Sequence, residues 1–156
     1  MNKHYFSYAF AVLAILFAGN SIAEQALTQE SITKVLDSVQ TAALKHDAEG
    51  VIAHLSPSAE IEIEVMGFKT TLSVSEYKGM LVQGWATPAK YTYEVRDIVI
   101  SINPDGKTAK VTDVTIETVE LDGKTISAKT YQTTMFALEN GVPTVTRLSA
   151  RMEMEM

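Results

Sequence analysis

The residues of this 156-residue sequence best suited to chemistry are a set of aromatics and one carboxylate. Tyr77, Trp85, Tyr91, Tyr93 and Tyr131 offer flat apolar faces with a few hydroxyl handles, the composition of a pocket for a small apolar ligand. The same five would also serve as ordinary core packing. Asp97, if enclosed by apolar walls, would titrate upward and could act as a base, although the sequence places no partner beside it. Nothing else in the chain has the spacing of a reaction centre. His46 and His54 lie near predicted helix ends without ligand spacing, so no metal site is expected. The Glu60, Glu62, Glu64 row lacks the glycine and the spacing of a calcium loop and reads as a solvated strand face. There is no cysteine, which removes disulfides, thiolate zinc and a cysteine nucleophile. There is no glycine-rich phosphate loop and no Gly-x-Ser-x-Gly elbow, and no cofactor is expected. A net charge of −6 argues against nucleic acid, which needs clustered Lys and Arg.

The first 23 residues carry a separate message. Lys3 and His4 precede the apolar run Ala9–Ala18, and Ser21-Ile22-Ala23 places small residues before a cut after Ala23. The run is too short for a spanning helix, which needs about 20 residues. The expectation is a signal peptide over 1–23, and a single periplasmic or secreted domain over 24–156 that is free of the membrane once cleaved.

The elements that must position the aromatics follow from periodicity. Thr28 can cap a helix with Ile32, Val35, Leu36, Val39, Ala42 and Ala43 on one face. Asp47 can cap a shorter one carrying Val51, Ile52 and Leu55, stopped at Ser56-Pro57. Strict alternation then marks a strand with Ile61, Ile63 and Val65 on one side, a turn at Gly67, and a return over Phe68–Leu72. Ser73 with Glu76 reads as a capping box opening a third helix, with Tyr77, Met80, Leu81 and Trp85 on one face and a stop at Thr87-Pro88. Four long strands close the chain, over Lys90–Ile102, Thr108–Leu121, Lys124–Leu138 and Val142–Met154. Turns at Asn103–Gly106, Asp122-Gly123 and Asn140-Gly141 separate them. The order α-α-β-β-α-β-β-β-β is an α+β plan, helices packed on one face of an antiparallel sheet.

Hairpin register assigns the faces. Regular turns put Val114 opposite Tyr131, Tyr131 opposite Ala150, and Val95 opposite Val114. One face then gathers Tyr91, Tyr93, Val95, Val114, Ile116, Tyr131, Met135, Leu148, Ala150 and Met152, together with Asp97, and its apolar weight points it at the helices. The other carries Arg96, Asp113, Glu117, Gln132, Arg147 and Arg151 and reads as solvated. At one end it also carries Ile98, Ile100, Val111, Phe136 and Val145. Such a patch is unusual on a lone domain, so these five are expected at the centre of a homodimer formed through the sheet. The segment just after Ala23, folded back, is the alternative cover. A β-bulge in any strand would break this register beyond it, and one near Arg96-Asp97 would turn Asp97 to solvent.

The element order resembles the nuclear transport factor 2-like (NTF2-like) superfamily, the cone-shaped fold shared with ketosteroid isomerase and SnoaL-like proteins. The matching pieces are Asp47-Ala48-Glu49-Gly50, Leu55-Ser56-Pro57-Ser58-Ala59, Ser75-Glu76-Tyr77, Gln83-Gly84-Trp85 and the meander from Tyr91 to Met152. The resemblance spans residues 28–154 and implies a cone with three N-terminal helices on a curved antiparallel sheet. Enzymes of this fold place an Asp with a Tyr, a second acid or a His inside the cone, whereas the first helix here carries none of these on its apolar face. The reading is therefore a non-catalytic exported domain that binds a small apolar ligand or a protein partner in or beside the cavity. The alternative is an isomerase or dehydratase using Asp97 and Tyr131.

Overall fold

The computed structural model describes residues 25–86, 90–121 and 123–155. The expected signal peptide, the Thr87-Pro88 stop and the Asp122 corner lie outside the described residues. The elements are α1 (Gln29–Leu44), α2 (Ala48–Ile52), β1 (Leu55–Val65), β2 (Phe68–Leu72), α3 (Val74–Gly84), β3 (Lys90–Ile102), β4 (Thr108–Leu121), β5 (Lys124–Glu139) and β6 (Val142–Glu155).

Local chemistry explains the boundaries. The Thr28 hydroxyl accepts from the Ser31 amide at 3.0 Å and the Ser31 hydroxyl accepts from the Thr28 amide at 3.1 Å, a reciprocal cap on α1. Asp47 caps α2 through the Gly50 amide at 3.0 Å. Glu76 closes the capping box of α3, accepting from the Ser73 amide at 2.7 Å. β1 begins at Leu55, and Pro57 falls where its pairing with β6 is interrupted between Leu55 and Glu60, a place where a missing N–H is tolerated.

The sheet has six strands in the order β2-β1-β6-β5-β4-β3. Two features of the expected architecture are corrected. The sheet is mixed, because β6 returns beside β1 in parallel, with Ile61 opposite Leu148 and Ile63 opposite Ala150. Only α1 and α2 precede the strands; α3 is inserted between β2 and β3, where it packs over β1 and β2 while α1 lies over β3 and β6.

The register carries the larger correction. The β4–β5 hairpin pairs Leu121 with Lys124 and Val114 with Tyr131, as regular turn geometry dictates. Each strand flanking it contains a bulge. In β3 the ladder passes from Arg96–Val114 to Val99–Thr112, so Asp97 and Ile98 oppose Asp113 alone. Asp97 adopts φ +54°, a left-handed conformation that a short polar side chain tolerates. In β6 the ladder passes from Phe136–Val145 to Met135–Arg147, leaving Thr146 extra, its hydroxyl donating to the Met135 carbonyl at 3.3 Å. Because side chains alternate with period two, one extra residue inverts a strand relative to its neighbour. Tyr131 therefore opposes Arg151, not Ala150, and Val95 opposes Thr115, not Val114.

The inner face of β4 and β5 is consequently the one that reads as solvated in the sequence. Val111, Phe136 and Val145 join Leu27, Ile32, Val35 and Ala109 in a buried core, with Ile100 packed against it. Burying side chains such as Ile32, Ile61 and Phe136 stabilises by about 1.5–3 kcal/mol each. The proposed dimer centre is thus interior to the chain: Val111 is 0% exposed and Phe136 1%, so neither can meet a second copy, and only Ile98 remains exposed. The cover is α1 and the segment before it. The Leu27 amide donates to the Gly106 carbonyl at 2.7 Å, laying Gln25–Leu27 along the β3–β4 turn. Gly106 has φ +67°, and a Cβ there would come within 2.7 Å of the Ala26 side chain, so glycine is required.

Candidate functional site

Between the helices and the sheet lies a cavity of about 410 Å³, floored by Phe136 and Val145 and walled by α1, α3 and the inner faces of the strands. Its volume is in the range of small-molecule sites and far above the voids of a packed interior. Val35, Leu36 and Val39 of α1, Ile63 and Val65 of β1, Met80 and Leu81 of α3, and Leu148, Ala150 and Met152 of β6 supply apolar wall.

Four of the five predicted aromatics converge on this space. Tyr77 and Trp85 approach from α3 and its end, Tyr91 and Tyr93 from β3. His46, at φ +55° just after α1, stacks on Trp85 at 5.2 Å between ring centroids and meets Tyr91 edge-on at 5.0 Å. Tyr131 is not among them. It lies on the outer face, between Lys129 and Arg151, whose cationic groups stand 5.0 and 4.8 Å from its ring centre. Asp97 is exposed in the β3 bulge. The predicted pair Asp97 and Tyr131 therefore shares no site.

In their place, the inner face of the central hairpin carries a strip of polar side chains: Asp113, Thr115 and Glu117 from β4, Thr130, Gln132 and Thr134 from β5. The Gln132 amide donates to the Thr115 hydroxyl at 2.7 Å, and Thr115 donates to the Asp113 carboxylate at 3.3 Å. The Tyr91 hydroxyl donates to Glu117 at 2.6 Å, a charge-assisted bond. Thr130 is buried, and its hydroxyl has no hydrogen-bond partner.

Burial dominates the electrostatics. Asp113 is pushed up to about 6 by desolvation, which the single hydrogen bond from Thr115 only partly opposes. Tyr77 is raised well above its usual range by burial and then by the nearby Tyr93 and Glu117. Tyr91 is raised in the same way by burial and then by Glu117. Tyr93 is raised by burial, with Thr115 and Gln132 pulling weakly the other way. The tyrosine hydroxyls are thus neutral donors, while Asp113 changes charge near neutrality.

Helices laid over the concave side of a bulged, mixed sheet, with a cavity between, match solved structures over most of the chain. An NTF2-like protein of unknown function from Pseudomonas putida KT2440 aligns at TM-score 0.65 and 11% identity, over 78% of this chain and 84% of that chain. The fold is NTF2-like. A scytalone dehydratase-like protein from Novosphingobium aromaticivorans is similar at TM-score 0.61 and 15% identity, over 81% of this chain and 83% of its own. A hexachlorocyclohexane dehydrochlorinase, LinA Type2, is similar at TM-score 0.65 and 11% identity, over 81% and 86%. No family model and no curated protein matches the sequence. The NTF2-like fold hosts proteins of unknown function and enzymes alike, so what the cone does is decided by its lining.

The sequence carried one signal for the polar strip. Asp113, Thr115, Gln132 and Thr134 share strand parity with Val111 and Phe136, and an apolar pair of that size belongs inside. Pairing the flanking strands without bulges points the same residues outward.

Proposed function

We propose that this protein binds a small, largely apolar ligand inside the NTF2-like cone, with the ligand's polar end against the strip of Asp113, Thr115, Thr130 and Gln132. One observation carries the reading: an apolar cavity of about 410 Å³ has the buried Asp113 in its lining, its carboxyl held by one hydrogen bond, from Thr115. A buried carboxyl with accepting capacity left over is costly, and a bound donor group would offset that cost. Native mass spectrometry of protein purified from its own host tests this. A retained organic mass that is lost in Thr130→Val or Leu81→Trp is expected. Apo protein only, with Trp85 fluorescence indifferent to a library of apolar compounds, overturns it. The pattern of Lys3, Ala9–Ala18 and Ser21-Ile22-Ala23 makes export part of the proposal, and an intact mass beginning at Glu24 is its test.

Catalysis of the isomerase or dehydratase type is a second reading, favoured by Asp113. A carboxyl raised to about 6 inside an apolar cavity is matched to proton transfer near neutral pH. A turnover found with the retained molecule or a close analogue would have to fall at least 100-fold in Asp113→Asn. Full activity in that variant removes the reading.

A further inference from the structure

Resting on the ligand-binding reading above, we infer that the ligand is a cation: an apolar molecule bearing a protonated amine, with anions of the same shape rejected. The charge of the lining carries this. The side chains around the cavity include the carboxylates Asp113 and Glu117, and no Lys, Arg or His among the described residues; Asp37 of α1 is also in the lining but is exposed to solvent. Fatty acids, phosphates and other anions would lie beside these carboxylates with no counter-charge, at a cost that grows as water is expelled.

A cation meets the opposite field. Asp113 is 7% exposed, and one hydroxyl, from Thr115, hydrogen-bonds its carboxylate. An ammonium donates up to three hydrogen bonds and accepts none, which suits the Asp113 and Glu117 oxygens. The aromatic wall adds to this, since Trp85, Tyr91 and Tyr93 offer ring faces that attract a desolvated cation. The titratable groups in the lining are the solvent-exposed Asp37 on α1, Tyr77 on α3, Tyr91 and Tyr93 on β3, and Asp113 and Glu117 on β4. β1, β5 and β6 contribute none to the lining. His46 stacks on Trp85 and is absent from the lining. A bound ammonium would also hold Asp113 ionised, so uptake strengthens between pH 5 and pH 7.5.

Calorimetry at pH 7.5 with three head groups on two tails tests the inference: 1-adamantylmethylamine, 1-adamantylmethanol and 1-adamantanecarboxylate, and octylamine, octanol and octanoate. In at least one series the ammonium is expected to bind tenfold or more tighter than the carboxylate, with the alcohol between. In Asp113→Asn/Glu117→Gln, checked for folding by circular dichroism, that preference should fall below threefold. The single variant Glu117→Gln, at a half-buried position, should lower it at least threefold and serves if the double variant does not fold. A preference below tenfold in both series, or one that survives the substitutions, overturns the charge inference and leaves ligand binding standing. Absence of binding by all six compounds overturns both.

Discussion

At one end of the cone Phe136 and Val111 are fully enclosed against Ile32 and Val35 of α1, with Leu27 laid over them from the segment before the helix. At the other end no residue of α3 is fully buried, and Tyr77, Leu81 and Trp85 pack, partly buried, against Ala42, Ala43 and Val51. The same strands run through both ends. The closed end spends its side chains on contact with one another, while the open end holds polar groups that the fold itself leaves poorly matched. On the proposed ligand-binding reading, the buried Asp113 carboxyl, with one hydroxyl for company, is where a ligand's polar end sits. On that reading the first end carries stability and the second specificity.

Substitutions at the two ends test that division. The largest effect belongs to the closed end: Phe136→Ala should cost about 3–5 kcal/mol in urea denaturation, as for other enclosed aromatics. A loss under about 1 kcal/mol would mean that this end is not the packed one. At the open end the sign should reverse. The folded-state pKa of Asp113 is about 6 against an ordinary 3.8, so the carboxyl contributes full stability only below about pH 4 and loses it as pH rises through 6. Asp113→Asn should therefore gain about 2 kcal/mol at pH 8 and almost nothing at pH 4. A destabilised variant at pH 8 would make Asp113 a structural residue after all. Leu81→Ala, on the half-exposed face of α3, should cost about 1 kcal/mol by thermal denaturation, well below Phe136→Ala. Smaller again, Ser73→Ala removes the hydroxyl half of the α3 cap and should cost about 0.5–1 kcal/mol, with ligand affinity affected more than global stability if α3 frays locally.

Much of the fold was legible from local signals. The caps at Thr28, Asp47 and Ser73 are written in the few residues that make them, and the alternation of Ile61, Ile63 and Val65 needs no partner to be read. The turn at Asn140-Gly141 started β6 opposite β5 as expected, with Glu139 against Val142. The site was less legible. Tyr77, Trp85, Tyr91 and Tyr93 reach the cavity, because their helix stripe and strand parity are local properties. Asp97 and Tyr131 do not, because their placement depended on carrying a register across four strands.

Element type, element order and the register of the central hairpin were determined by sequence alone, since caps, periodicity and a two-residue turn act over a few residues. Which side of that hairpin became the interior was decided by tertiary structure. The parity of β4 and β5 is set by whichever face the helices cover, and Leu27, Ile32 and Val35 cover Val111 and Phe136. Two single-residue bulges, at Asp97-Ile98 and Thr146, then let the apolar faces of β3 and β6 turn to the same side. A bulge inverts everything beyond it at the cost of one ladder position, and no composition or spacing in these strands marks where that happens.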